Sequence, residues 1–320
     1  MQAFINFFWN KEENRFRAFY RLIAFGVITA AIFPTRRYLL TPLLYDLPYQ
    51  RIILIPLLLI FFLIAVWIAV RYVDRRRMGS IGFNIDKEWW INFSFGLFLG
   101  AFILSFVFLF EAAFGWIEVT EVFYVNGYEN FTVSLIAGFL LYISVGIREE
   151  TASRGYLIKN FSEGFRNSRI KPVTILLLVT IITSVLFGLG HANNPNATLV
   201  STWNLMVIGI LLAYAYIATG SLAMPIGIHI TWNFFQGCVF GFPVSGHPTT
   251  ASFLKIAQYG DDFWTGGSFG PEGGMVIYIA SFIGFLMIYG WQKVRKGGAA
   301  PRDEIVEYQP FQSKIENSEL

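Results

Sequence analysis

The sequence predicts an all-α fold: a polytopic integral membrane helix bundle of about eight transmembrane helices, with both termini cytoplasmic. Three observations predict it. The 320 residues are 55% hydrophobic and only 14% charged, where a soluble domain carries roughly a quarter charged residues. Apolar runs of membrane-spanning length recur along the chain. Lysine and arginine gather in alternate links between those runs, as the positive-inside rule requires.

Residues 1–17 mix Phe4, Phe7, Phe8 and Trp9 with Lys11, Arg15 and Arg17, which suits a short interfacial segment. Ala18–Phe33 is the first span, ended by Pro34. No small-residue cleavage site follows it, so it reads as an uncleaved span. Ile52–Val70 is the second, bounded by Arg51 and by Arg71, Arg75, Arg76 and Arg77. Phe93–Trp116 is the third, led in by Trp89 and Trp90 as an aromatic anchor. An acidic link with Glu118, Glu121 and Glu129 follows. Phe131–Ile147 is the fourth span, Val173–Gly190 the fifth, Thr202–Thr219 the sixth and Leu222–Phe242 the seventh. Residues 243–271 form the longest loop, an outer lid or docking surface. Met275–Trp291 is the eighth span, and 297–320 is a disordered cytoplasmic tail.

The chain therefore divides into a three-span N-terminal region (1–130), a four-span core (131–242), an outer loop with the last span (243–296) and the tail (297–320). With the N-terminus inside and eight spans, 20 of the 24 basic residues fall on the cytoplasmic side. Arg36, Arg37, Arg51 and Lys255 fall outside, with the acidic link. The single cysteine, Cys238, excludes an internal disulfide and a Cys-rich metal site, and reads as buried.

The chain is organised around Arg148-Glu149-Glu150-Thr151-Ala152-Ser153-Arg154, directly after the fourth span. A carboxylate brought into a bilayer costs roughly 2.5–3.5 kcal/mol on insertion scales. Glu150 and Arg154 stand four apart, so on a helix they share a face and pair. Glu149 points about 100° away and has no local partner. The ring nitrogens on offer belong to His191, His229 and His247. His191 ends the fifth span, four residues after Phe187. His229 lies within the seventh, with Asn233 four residues on and on the same face. His247 sits between Gly246 and Pro248 in the long loop and reads as non-catalytic.

Taken singly, each feature has a plain structural reading. A lone histidine in an apolar span is usually a helix–helix hydrogen bond, Glu150–Arg154 a structural pair, Phe187 ordinary packing. Occurring together, two Glu, one Arg, two His and one Asn in separate spans are costly without a use. A carboxylate in a low-dielectric cavity becomes a usable general base near neutral pH. Glu149 with His191 would activate a water, and His229 with Asn233 would hold the oxyanion, giving amide hydrolysis without a covalent intermediate. The same Glu149, His191 and His229 form a catalytic zinc set by type and number, although no H-E-x-x-H spacing supports it. No Gly-x-Ser-Gly precedes a helix with a later His. Asp261-Asp262 sits in a loop with no second intramembrane Asp to complete a dyad.

Simple counting sets a difficulty. It puts Glu149 near the inner end of the fourth span and His191 near the outer end of the fifth, up to about 30 Å apart. For the two to meet, the fourth span must start further back, or 156–172 must dip into the protein and delay the fifth.

Glu149-Glu150-x-x-x-Arg154, then Phe187-x-x-x-His191, then His229-x-x-x-Asn233 resemble, in order, the CPBP family of CAAX-protease and bacteriocin-processing membrane peptidases. The resemblance covers about Phe131–Gln236, and the stretches 242–246 and 266–274 also look like bacterial members. It implies an eight-helix intramembrane endopeptidase with Glu149 as catalytic glutamate and His191 as its partner on the attacking water. His229 and Asn233 form the oxyanion side. Glu150 and Arg154 hold the helix and the substrate carboxylate, with Phe187 supporting. It implies no cofactor, zinc being the alternative, and a cell-membrane location. The expected partners are lipid and a membrane-associated peptide or lipoprotein substrate, with no nucleic acid. The competing classes are a non-catalytic membrane binding, immunity or scaffold protein and, more weakly, a transporter, for which no paired broken helices in related halves are found.

Overall fold

The computed structural model describes residues 7–45, 49–127, 130–298 and 302–310. Seven of its helices are long and apolar enough to cross a membrane. They are α1 (Ala18–Leu43), α2 (Gln50–Val73), α3 (Lys87–Ala113), α4 (Phe131–Phe165), α5 (Pro172–Gly190), α6 (Leu199–Thr219) and α8 (Val276–Lys296). Between the last two lies α7, eleven residues of α-helix (Ala223–Asn233) continued by six of π-helix (Phe234–Val239). All of its α-helical residues except Thr231 are buried. A helix apolar on every side belongs in the middle of a bundle, and α7 is the post around which the others stand. The expected multi-pass helical membrane architecture is what the chain adopts.

Glycines set how closely that post is held. A Cβ at Gly96 would strike the Met224 carbonyl oxygen, one at Gly100 the Ile228 oxygen, and one at Gly227 the Phe93 oxygen. α3 and α7 therefore touch backbone to backbone, as small residues permit in membranes. On another side of α7, a Cβ at Gly146 would lie 2.8 Å from Ile230 Cγ1, so α4 also approaches closely. These two contacts fix the rotation of α7 and turn the face bearing His229 and Asn233 away from α3.

Three expected boundaries move. Pro34 does not end α1: after a turn at Ala31 the helix restarts as Ile32–Thr35 and continues as a π-helix, Arg36–Leu40. Pro34 stands in the first turn of that restart, where its missing N–H is no loss. α4 does not stop near Ile147. It passes through a π-helical stretch, Thr151–Ile158, into Lys159–Phe165. The two outer links are not plain loops either. β3 (Ile117–Val125) and β4 (Ala251–Gln258) pair antiparallel from Ile117↔Gln258 to Val125↔Ala251, with an irregularity between Val119 and Glu121. A smaller ribbon joins β1 (Trp9–Asn10) to β2 (Arg15–Phe16) ahead of α1.

The end of the bundle opposite the β3–β4 sheet is tied by ions. Glu163, on the last turns of α4, accepts from both terminal nitrogens of Arg76 at 2.6 Å, from Arg15 at 2.8 Å and from Arg21 at 3.0 Å. Asp74 accepts from the Tyr156 hydroxyl and the Asn160 amide. Burial alone would lower the Arg76 pKa, but Glu163 and Asp74 more than reverse this and hold it above the ordinary arginine value. The expected disordered tail is in part ordered here. Asp303–Val306 form a 3-10 turn with Ile305 and Val306 buried, and Lys159 Nζ donates to the Glu304 and Glu307 carbonyls at 3.0 and 2.6 Å. The Tyr308 ring lies 3.4 Å beneath the Arg15 guanidinium. Residues 311–320 of that expected tail lie outside the described residues.

Candidate active site

Consecutive helical residues point about 100° apart, and on α4 this divides the two glutamates. Glu150 faces inward and is fully buried. Its Oε1 accepts from Arg154 Nη1 at 2.9 Å, the expected one-turn pair, and from His229 Nδ1 at 2.7 Å. Arg154 also donates to the Gly209 carbonyl, and its guanidinium carbon stands 4.3 Å from the centre of the Phe187 ring. Arg154 is 1% exposed and does not line the cavity described below. The expected contact with a substrate carboxylate is thereby corrected, because the guanidinium is consumed by Glu150, a backbone carbonyl and an aromatic face.

Glu149 faces the other way, and both histidines come to it. His191 Nε2 lies 3.8 Å and His229 Nε2 3.9 Å from Glu149 Oε2. The far nitrogen of each ring is already engaged. His191 Nδ1 meets the Phe187 carbonyl at 2.8 Å, and His229 Nδ1 meets Glu150. A carbonyl only accepts, and a carboxylate bound to arginine only accepts, so Nδ1 is the donor in both rings. With Nδ1 engaged in both rings, it is the two Nε2 atoms that face Glu149. The gaps are too wide for a direct bond, and Glu149 Oε2 is buried with no protein partner. A water between Glu149 Oε2 and a histidine Nε2 fits a gap of this width. Phe187 props the set, its ring centre 4.9 Å from that of His191 and 6.2 Å from that of His229.

The group lies in a cavity of about 640 Å³. One stripe of α4, from Gly138 through Tyr142 and Glu149 to Ser153, forms a wall. The end of α5, the middle of α6 and the His229–Asn233 face of α7 form the others. Asn233 lies one turn above His229 and is 5% exposed. The mouth is made by Asn194, Ser245 and 247–250. Among the described lining residues there is no lysine or arginine.

The counting difficulty resolves through α4. Because the helix runs on to Phe165, Glu149 is in its interior, sixteen residues from that end, while His191 is nineteen residues beyond the start of α5 at Pro172. At about 1.5 Å per residue the two arms of this hairpin are of similar length, and the side chains meet. The expected dip of 156–172 does not occur as such: the helix continues to Phe165 with Tyr156, Ile158, Lys159, Asn160 and Ser162 buried, 166–171 form an exposed turn, and α5 begins at Pro172 without delay.

Sequence reasoning overlooked Glu272, which organises the mouth. Its Oε1 accepts from Trp232 Nε1 at 3.2 Å, and its Oε2 from the Ser245 amide and hydroxyl at 2.7 Å each. Asn194 Nδ2 donates to the Ser245 carbonyl. The signal was present in the glycine-rich run 266–274, where Glu272 is the one charged residue. In the stretch 243–271, expected as an outer lid or docking surface, Phe269, Thr265, Ala251 and Ser252 are buried while 261–264 are exposed. Cys238 is buried beside the cavity, and His247 sits exposed at its rim.

The donor types suit zinc, and their spacing is wider than a bound ion would set. Four-coordinate zinc at its usual bond lengths sets neighbouring donors about 3.4 Å apart, and here they are 3.8 and 3.9 Å. Among the described residues no group of three His, Cys, Asp or Glu side chains is arranged to hold a metal ion.

Comparison with known proteins agrees with this site. The uncharacterized protein YyaK of Bacillus subtilis is 26% identical, over 60% of this chain and 66% of that protein, a little under two thirds of its length. No solved structure matches. Residues 131–235 match the family model of the Type II CAAX prenyl endopeptidase, Rce1-like. That segment contains Glu149, Glu150, Arg154, Phe187, His191, His229 and Asn233 and ends within α7. Within a multi-pass helical membrane protein, this segment is similar to the Rce1-like family, in line with the ordered motifs of the CPBP resemblance.

Proposed function

We propose that this protein is an intramembrane endopeptidase of the cell membrane that hydrolyses a peptide bond of a membrane-associated polypeptide with a glutamate-activated water. The observation that carries this reading is the unpartnered, buried Oε2 of Glu149 facing the Nε2 atoms of two histidines in a cavity. The water's oxygen attacks the carbonyl carbon as one of its protons passes to Glu149. His191 holds the water, its ring fixed by the Phe187 carbonyl. The Asn233 amide donates to the oxyanion, and His229, as an imidazolium, adds a second donor from Nε2. Glu149 then returns its proton to the departing amine as the C–N bond breaks. Glu150 and Arg154 are positioning residues that set the His229 ring.

The apolar walls suit a chain approaching from lipid, so short water-soluble peptides are expected to be poor substrates. The test is wild type against Glu149→Gln, purified in detergent, each given a mixture of membrane-extracted and lipidated peptides with and without chelator, with products read by mass spectrometry. Cleavage by wild type alone, indifferent to chelator, is the expected result. Cleavage abolished by chelator and restored by zinc would reassign Glu149, His191 and His229 to a metal. A cellular phenotype that survives Glu149→Gln would favour a binding protein.

A further inference from the structure

The polar mouth of the cavity lies at Asn194, Ser245 and 247–250, and the basic residues stand at the opposite end of the molecule. The ion pairs define that end. Arg15, Arg21 and Arg76 meet on Glu163, Lys159 holds the 304–307 carbonyls, and Arg295 at the end of α8 pairs with Glu88 at the start of α3. Of the described lysines and arginines, seventeen sit at this end. Arg36, Arg37, Arg51 and Lys255 sit at the other, and Arg148 and Arg154 lie between; Lys314, outside the described residues, completes the 24. By the positive-inside rule the rich end is cytoplasmic.

None of the cavity lining comes from that end. Its deepest α4 residue is Ser153, and two residues on the floor is shut. A Cβ at Gly155 would lie 3.0 Å from the Ile81 carbonyl oxygen and from Leu222 Cδ1, and Ile81, Leu222, Tyr156 and Ile158 are fully buried. Below them come the Glu163 ions and the docked 302–308 segment. The mouth, by contrast, is built from Asn194, Ser245 and 247–250, beside the β3–β4 sheet.

From this we infer that the cavity opens on the extracytoplasmic side, and that its substrate is the exported part of a membrane- or lipid-anchored polypeptide. This rests on the peptidase reading for the word substrate, but the direction of opening does not. The lining adds one constraint. It offers no lysine or arginine to receive a chain-terminal carboxylate, which fits a bond within a segment that passes through the mouth.

Cys238 is the sole cysteine, so Cys238→Ser gives a cysteine-free parent. Into it are placed Thr250→Cys at the mouth and, separately, Ser168→Cys in the exposed turn between α4 and α5. Cells expressing each full-length protein are treated with a membrane-impermeant maleimide before and after permeabilisation. The Thr250→Cys protein is expected to label at least tenfold more than the Ser168→Cys protein in intact cells, and the two to label alike once permeabilised. Protection of the Thr250→Cys protein in intact cells, or equal labelling of both there, overturns the inference. A second arm offers a peptide library on a single-span anchor to either face of vesicles whose orientation the same labels report, with Glu149→Gln as control. Cleavage confined to the Thr250 face supports the proposal, and cleavage confined to the Ser168 face overturns it. If neither face supports cleavage, the peptidase reading fails while the labels still decide the direction of opening.

Discussion

Two glutamates on the same helix, fourteen residues apart, lead opposite lives. Glu163 is surrounded by Arg15, Arg21 and Arg76, and each of its oxygens accepts at least one charged hydrogen bond of 2.6–3.0 Å. Glu149 has no cation at bonding distance, and its Oε2 faces only two imidazole nitrogens at 3.8 and 3.9 Å. A saturated carboxylate has no lone pair to spare and can only hold things together. An unsaturated one is poised to take a proton. Burial and hydrogen bonding separate the two roles together: the Glu163 side chain is 2% exposed and saturated, the Glu149 side chain 28% exposed and open to the cavity.

The comparison can be broken by substitution. The largest effect is expected from Glu149→Gln, which keeps the size and removes the base. Hydrolysis should fall by about 10²–10⁴-fold, while thermal unfolding in detergent stays at the wild-type temperature. A drop in unfolding temperature as large as the loss of activity would make Glu149 structural after all. Glu163→Gln should do the reverse. It leaves three guanidiniums short of a carboxylate, a change that costs roughly 3–5 kcal/mol when a buried pair is broken. Unfolding should shift strongly downward while the folded fraction retains its kcat.

Glu150→Gln tests the intermediate case, because Glu150 is saturated yet touches a site residue. It should reduce activity by about 10–100-fold through a loosened His229 ring, the scale found for partners that orient a working ligand. The pH profile should change shape, which a purely structural loss would not produce. The smallest effect should come from Lys255→Ala on the sheet. Its 3.4 Å pair with Glu121 is 43% and 51% exposed, worth at most about 0.2–1 kcal/mol before screening, and the difference should vanish in high salt.

Much of this was legible in the chain. The apolar runs located the helices, and the i,i+4 spacing of Glu150 and Arg154 announced their pair. Two histidines in separate spans marked the site. What escaped were relations across long separations. The polar residues of 151–165 looked like the end of a span because their partners, Arg15 and Arg76, lie 148 and 87 residues away. The bond from His229 to Glu150 crosses 79 residues, and that from Trp232 to Glu272 crosses 40. Pairing of β3 with β4 joins two links that each read as loop, since a two-stranded ribbon with one strand nearly all exposed carries no alternating pattern.

The continuity of α4 has a last consequence, for how this chain can change over generations. The helix acts as a ruler with two settings. One residue inserted between Gly146 and Glu149 would turn everything beyond it by about 100° and advance it by about 1.5 Å, leaving the base facing where its neighbour now stands. A residue added on one arm of the α4–α5 hairpin would carry Glu149 past His191 unless the other arm lengthened to match. Descendants of this sequence are therefore free to vary the composition of the hairpin far more than its length, and insertions should be found paired across its two arms or confined to the turn at 166–171.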